Sequence, residues 1–228
     1  SRAQNMQNNR NMEKLKLTEE WDKTFPKSDK VDHSKVTFVN RFGITLAADL
    51  YVPKIAVADK FPAIAVSGPF GAVKEQSSGL YAQTLADRGF LTIAFDPSFT
   101  GESSGQPRSV ASPDINTEDF SAAVDYLATR PDVDAERIGI LGICGWGGYA
   151  IHAAANDTRI KATVASTMYD ISRANANGYF DAADNADARY RMRRELNAQR
   201  TKDYRTGTYP CTTMNPEPAE DAPQFMKD

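Results

Sequence analysis

Apolar residues recur along this chain in two rhythms, and the shifts between them make the fold readable. Val36-Thr-Phe38-Val39-Asn40, a turn at Arg41-Phe-Gly43, then Ile44-Thr-Leu46-Ala-Ala-Asp49-Leu50-Tyr-Val52 predicts a β-hairpin closed by Pro53. Four short apolar runs follow, at 63–66, 91–95, 137–143 and 160–165. Such runs suit strands buried on both faces of a parallel sheet. Between them the period lengthens to that of a helix. Residues 80–88 predict one helix, with Gly89 just past its end. Asn116 is placed to cap a second, in which Phe120, Ala123, Val124, Leu127 and Ala128 share a face, with Ile115 and Phe120 as a hydrophobic staple and Pro131 beyond. Residues 147–155 predict a third. Strands alternating with helices at these spacings mean βαβ units, hence an α/β fold: a three-layer αβα sandwich on a mostly parallel sheet.

The apolar supply then runs out. The last valine is Val164, and beyond Ala165 the chain offers a single isoleucine, Ile171, and a single leucine, Leu196. Packed strands need β-branched and large apolar side chains, so the final stretch contributes no core strand. The expected organisation is an N-terminal extension over 1–34, a core over 35–166, and a polar, helical cap or lid segment over 167–228. Within the extension, 1–11 reads as a polar leader and 14–21 as a short helix docking Leu15 and Trp21. Within the last segment, 173–205 is alanine-rich and helix-prone, and 209–223 carries four prolines.

Composition narrows the function classes. With 228 residues, 41% hydrophobic and 25% charged, the chain is neither collagen-like nor fully disordered. No apolar run approaches the roughly 20 residues of a membrane span. A net charge of −3 argues against a nucleic-acid binder, and the arginines at 189, 191, 193 and 194 read as a solvated helix face. Two cysteines make no disulfide scaffold, and two histidines leave little for a metal site. Gly101 and Gly105 precede no Gly-Lys-Ser/Thr, and no dinucleotide fingerprint is present. No cofactor and no metal are expected.

The chemistry concentrates at Ile138-Gly139-Ile140-Leu141-Gly142-Ile143-Cys144-Gly145-Trp146-Gly147-Gly148. A buried strand runs into a Gly-x-Cys turn and a glycine-rich helix entry. In a nucleophile elbow that turn is so tight that its central residue is strained and projects above the sheet. The N-terminus of the following helix favours negative charge, and the N–H of the next residue, Gly145, points where an oxyanion would form. The alternative is a small buried cysteine at a strand end; the surrounding glycines favour the nucleophile.

With these residues, with Ser67-Gly68-Pro69-Phe70-Gly71, and with the segment from Phe95-Asp96-Pro97 to Gly101-Glu102-Ser103, the chain resembles the α/β-hydrolase superfamily. Within it, the chain is most similar to the dienelactone-hydrolase-like group, whose nucleophile can be cysteine in a Gly-x-Cys-x-Gly-Gly turn. The resemblance runs from Lys35 to Asp170. It implies Cys144 as nucleophile, backbone N–H donors from Gly145 and from Phe70, with Gly71 as the alternative to Phe70, and substrate contacts from Trp146, Glu102, Ser103 and Tyr169. It implies hydrolysis of an ester, thioester or lactone without a cofactor, and a small-molecule acyl substrate as partner.

The chain departs from the family pattern in two ways. Trp146 stands where the group has a small residue, the double glycine arriving one place later. The histidine base and its orienting acid, expected after the last strands, have no counterpart. His152 lies eight residues past Cys144, about 12 Å along a helix, and His33 precedes the first strand; Asp170 is a fallback acid. These departures imply about six of eight strands, with the rest in a continuing chain, a separate chain or a homo-oligomeric partner, and impaired catalysis without them. The alternative is a non-catalytic protein binding a small molecule or partner on a hydrolase scaffold. Cytoplasmic and exported locations both stay open, since Ser1-Arg2-Ala3 before Gln4 fits either a cleaved signal or an ordinary terminus.

Overall fold

A computed structural model describes residues 12–56 and 58–210 of the chain. The polar leader over 1–11 and most of the proline-rich stretch, including Cys211, lie outside the described residues. The sheet contains six strands: β1 (Val31–Val39), β2 (Thr45–Pro53), β3 (Phe61–Ser67), β4 (Leu91–Phe95), β5 (Val133–Ile143) and β6 (Ile160–Ser166). Their order across the sheet is β1-β2-β4-β3-β5-β6. β1 and β2 form the predicted hairpin, and β2 joins β4 antiparallel. The pairs β3–β4, β3–β5 and β5–β6 are parallel, as the apolar runs required.

Helices α1 (Ser77–Ala86), α2 (Pro113–Ala128) and α3 (Gly145–Asn156) connect the parallel strands. The core has two parts, one on each face of the sheet. The larger gathers Leu46, Phe95, Phe120, Leu127, Ile138, Ile140 and Trp146. The smaller gathers Tyr51, Val66, Ala82, Leu141 and Ile143.

Several expectations shift in detail. Residues 14–21 form no helix: they run as an irregular strap tied at Thr18, whose N–H donates to Glu102 at 2.6 Å. α2 begins at Pro113 after Ser112, not at Asn116, because proline suits the first helical position. Asn116 is instead buried inside the helix, its amide accepting from Ser112 N–H at 2.7 Å and donating to Asp119 at 3.1 Å. β5 starts four residues earlier than its apolar run, since its first turn of ladder is made by the polar stretch after Val133.

β6 differs from the other parallel strands. Its residues 161–164 are exposed and Val164 retains 52% of its surface, whereas strands in parallel sheets are normally covered on both faces. Beyond it lies α4 (Ile171–Asn177), whose N-terminus is capped by Asp170: the carboxylate accepts from Arg173 N–H at 3.0 Å. The chain divides into compact units at 1–175 and 176–228. The described part of the second contains a single 3-10 turn at Tyr179–Asp181 and α5 (Ala186–Thr206). α5 is capped by Asn185, which accepts from Ala188 N–H, and closed by left-handed Gly207; none of its residues is buried. No helix of the described residues is long and apolar enough to cross a membrane.

Candidate active site

Cys144 occupies the single residue between β5 and α3, with φ 58° and ψ −125°. A side chain in that region is strained, and such strain gathers at functional sites. The turn is pinned from both sides: Cys144 N–H donates to the Ser166 carbonyl at the end of β6 at 2.9 Å, and Gly147 N–H donates to the Cys144 carbonyl at 3.0 Å. Gly142 is required by the crossing of strand and helix, because a Cβ there would lie 2.2 Å from the Trp146 carbonyl oxygen. Cys144 itself is half-buried and is the one free cysteine among the described residues.

Trp146 is accommodated by a glycine on the neighbouring strand end. Gly68, with φ +96°, has no Cβ where one would meet the Trp146 Cβ at 2.8 Å. The indole lies in the core, 2% exposed, between Phe70 (ring centroids 5.9 Å apart) and Tyr149 (5.1 Å, edge-on). The loop after β3 is thereby held against the elbow. Phe70, on that loop, and Gly145, the first residue of α3, are the two residues whose N–H groups the resemblance implies as oxyanion donors.

The segment after β6 closes over the helix entry. A Cβ on Gly147 would meet Met168 Cβ at 2.5 Å, and one on Gly145 would lie 3.8 Å from the Tyr169 hydroxyl. Tyr169, one of the four expected substrate contacts, thus lies beside the elbow. The other three expected contacts are placed otherwise. Trp146 packs inside. Ser103 is buried, its hydroxyl donating to the Asp96 carbonyl at 2.7 Å and accepting from Ala47 N–H at 2.9 Å. Glu102 is held by ammonium groups, at 2.8 Å from Lys35 and 2.7 Å from Lys74.

That ion network was not foreseen. Lys74, fully buried, sets its ammonium among Glu75 at 2.5 Å, Asp96 at 2.8 Å and Glu102. The three carboxylates lie close enough together to hold a metal ion, but the ammonium already occupies their centre. Burial alone would lower the Lys74 pKa; the Asp96 charge and the three hydrogen bonds outweigh it and raise it. Burial would raise the Glu102 carboxyl, yet Lys35 and Lys74 hold it down at about 2. Glu75 is pushed up by burial and by the Asp96 charge. Asp119 forms a second buried knot, its carboxylate taking hydrogen bonds from Asn40 at 2.9 Å and from Ser98 N–H and hydroxyl at 2.8 and 2.7 Å. The only hint of either knot in the sequence was the spacing of polar residues at strand ends, which does not say what they face.

Neither histidine approaches Cys144. His33 Nε2 donates to the Asp49 carboxylate at 2.6 Å on the β1–β2 hairpin, and β1 is separated from β5 by four strand spacings, about 19 Å. His152 lies two turns down α3, 3.5 Å from the Thr117 hydroxyl. Asp170, the fallback acid, caps α4.

The family model of the X-Pro dipeptidyl-peptidase (S15 family) matches residues 43–224. A protein of Pseudomonas aeruginosa, PA2218, is 64% identical over 194 residues, 85% of this chain and 52% of its own. Its crystal structure superposes with a TM-score of 0.87 at 60% identity, covering 93% of this chain and 66% of that one. YcjY of Escherichia coli is 42% identical, over 84% of this chain and 63% of its own length. The thiohydrolase aneE of Aspergillus aculeatus is 34% identical over 57% of this chain and 39% of its own. The chain thus spans about half to two thirds of the length of these first two relatives.

Proposed function

The chain belongs to the X-Pro dipeptidyl-peptidase (S15) family, of α/β-hydrolase type, and on that premise we propose that it carries the nucleophile half of an acyl hydrolase. Cys144, as the thiolate after its proton has passed to water, attacks the carbonyl of an ester, thioester or lactone. The S–C bond forms as the carbonyl π pair moves to oxygen, which the Gly145 and Phe70 N–H groups receive. The pair returns, the C–O or C–S bond to the leaving group breaks, and the leaving group takes a proton from water. Water then releases the acyl group from sulfur. The observation that carries this reading is the left-handed Cys144 between β5 and α3. Within the superfamily, Gly142-Ile143-Cys144 favours the dienelactone-hydrolase-like group, and the likeness to a thiohydrolase favours a thioester or activated ester.

Deacylation needs a base that His33 and His152 are too remote to supply. We place that base, and its acid, on polypeptide that pairs with β6 and covers its exposed faces, from a continuing or a second chain. The test is burst kinetics with p-nitrophenyl acetate. One equivalent of nitrophenolate released quickly, followed by slow turnover, and loss of the burst in Cys144→Ala, support the reading. Equal release by both proteins contradicts it.

A second reading, a binding protein on a hydrolase scaffold, is favoured by the distance of both histidines from Cys144. It predicts no burst and no covalent adduct.

A further inference from the structure

The ion knot around Lys74 joins two loops that leave neighbouring strand ends, and one of them carries the donors assigned to the oxyanion. The loop after β3 is pinned at its start, where a Cβ on Gly68 would meet the Ile143 carbonyl oxygen of the elbow strand at 2.4 Å. It then turns over Phe70 and Gly71. Ala72 N–H donates to the Pro69 carbonyl at 3.2 Å, and Gly71 takes a φ of +77°, as the third residue of a type II turn does. Both residues implied as donors are therefore the central pair of one turn.

The far end of that turn is pinned at Lys74. Asp96, the residue after β4, accepts from Lys74 N–H at 2.8 Å through Oδ1 and from Lys74 Nζ at 2.8 Å through Oδ2. The same Oδ2 accepts from Glu102 N–H at 2.9 Å, and the loop wraps it so closely that a Cβ on Gly101 would lie 2.3 Å away. One fully buried carboxylate thus clasps the main chain of both loops. Glu102 extends the clasp outward, to Lys35 on β1 and to Thr18 N–H on the strap. Replacing buried ion pairs with packed apolar residues is often neutral or stabilising, so stability alone is a weak reason for this cluster. What it adds is direction, because its bonds end on particular backbone N–H groups. Oxyanion donors need that, since a displacement of about 1 Å can cost about a hundredfold in rate.

We propose that Asp96 and Lys74 are positioning residues for acyl transfer: by clasping the chain just past the Phe70–Gly71 turn, they hold its N–H donor where the oxyanion forms. The proposal rests on the acyl-hydrolase reading, with Cys144 as nucleophile. Neither residue touches the reacting atoms; both act through the backbone of the loop after β3.

The experiment measures two reactions of Cys144 in the whole protein, the burst with p-nitrophenyl acetate and alkylation by iodoacetamide. In the first, sulfur bonds to the carbonyl carbon, the π pair moves to oxygen and returns as nitrophenolate leaves, so an oxyanion forms. In the second, sulfur bonds to the methylene carbon as iodide leaves with the C–I pair, and no oxyanion forms. Asp96→Asn sets an amide NH2 against one of the N–H donors that the carboxylate accepts. It is expected to slow the burst about tenfold or more, while alkylation keeps its wild-type rate and pH dependence. A variant that loses both reactions alike, or keeps both, overturns the positioning role, and the wild-type burst leaves the nucleophile standing. Glu102→Ala, which withdraws one of the three carboxylates around Lys74, is expected to slow the burst about threefold with alkylation unchanged. It carries the test if Asp96→Asn does not fold, and a burst equal to wild type then overturns the role. A wild type alkylated at Cys144 that gives no burst overturns the acyl-hydrolase reading, and this proposal with it.

Discussion

The Cβ that Gly68 lacks would sit 2.8 Å from the Trp146 Cβ and 2.4 Å from the carbonyl oxygen of Ile143. The large residue at the helix entry and the missing side chain at the end of β3 are thus two halves of one packing solution. Gly68→Ala is expected to destabilise the protein by about 2 kcal/mol or more, since neither backbone nor indole can retreat and φ +96° strains any side chain. Denaturant unfolding measures it; a change under 0.5 kcal/mol would contradict the packing.

Trp146→Gly, which restores the small residue typical of the elbow, removes the ring that Phe70 and Tyr149 pack upon. The cavity costs about 3–5 kcal/mol, and the p-nitrophenyl acetate burst should slow because the Phe70 N–H loses its support. A variant as stable and as fast as wild type would show the indole to be ornamental.

Cys144→Gly removes the reacting sulfur and also relieves a left-handed side chain at φ 58°. Stability should rise by about 1 kcal/mol while all acylation disappears. Urea midpoints of the wild type, Cys144→Gly and Cys144→Ala separate the two effects: only the glycine variant is expected to gain.

The Lys74 network sets the acid limb of stability. Glu102 is depressed from 4.5 to about 2 in the folded protein. A depressed carboxyl stabilises the fold above its unfolded value, so its contribution is complete above pH 4.5 and lost as the pH falls towards 2. Thermal midpoints across that window should fall less steeply for Glu102→Gln than for wild type; parallel curves would remove Glu102 from the network. Lys74→Met should cost about 3–5 kcal/mol at neutral pH by leaving buried carboxylates unpaired.

Much of this was legible in the residue pattern. The parallel strand at 91–95 came directly from its unbroken apolar run, because it is buried throughout, and the helix after the elbow came from the change of period. The elbow was legible because only glycine fits at 142 and the turn must fall after Ile143. The strap over 14–21 reads as a helix from sequence because Leu15 and Trp21 suggest a docking face, but backbone donors such as Thr18 N–H are taken by distant side chains. Glu102 and Ser103 looked like mouth residues because loops at strand ends usually are, whereas here the loop is folded around Asp96. The pairing of Trp146 with Gly68 was beyond a sequence argument, since 78 positions separate them and only strand order brings them together.

The most direct test of the nucleophile is peptide mass mapping after brief reaction with p-nitrophenyl acetate at neutral pH. The account predicts one acetyl group per chain, on the peptide containing Cys144, absent from Cys144→Ala and unaffected by His152→Ala. Acetyl groups scattered over lysines with Cys144 unmodified would contradict it.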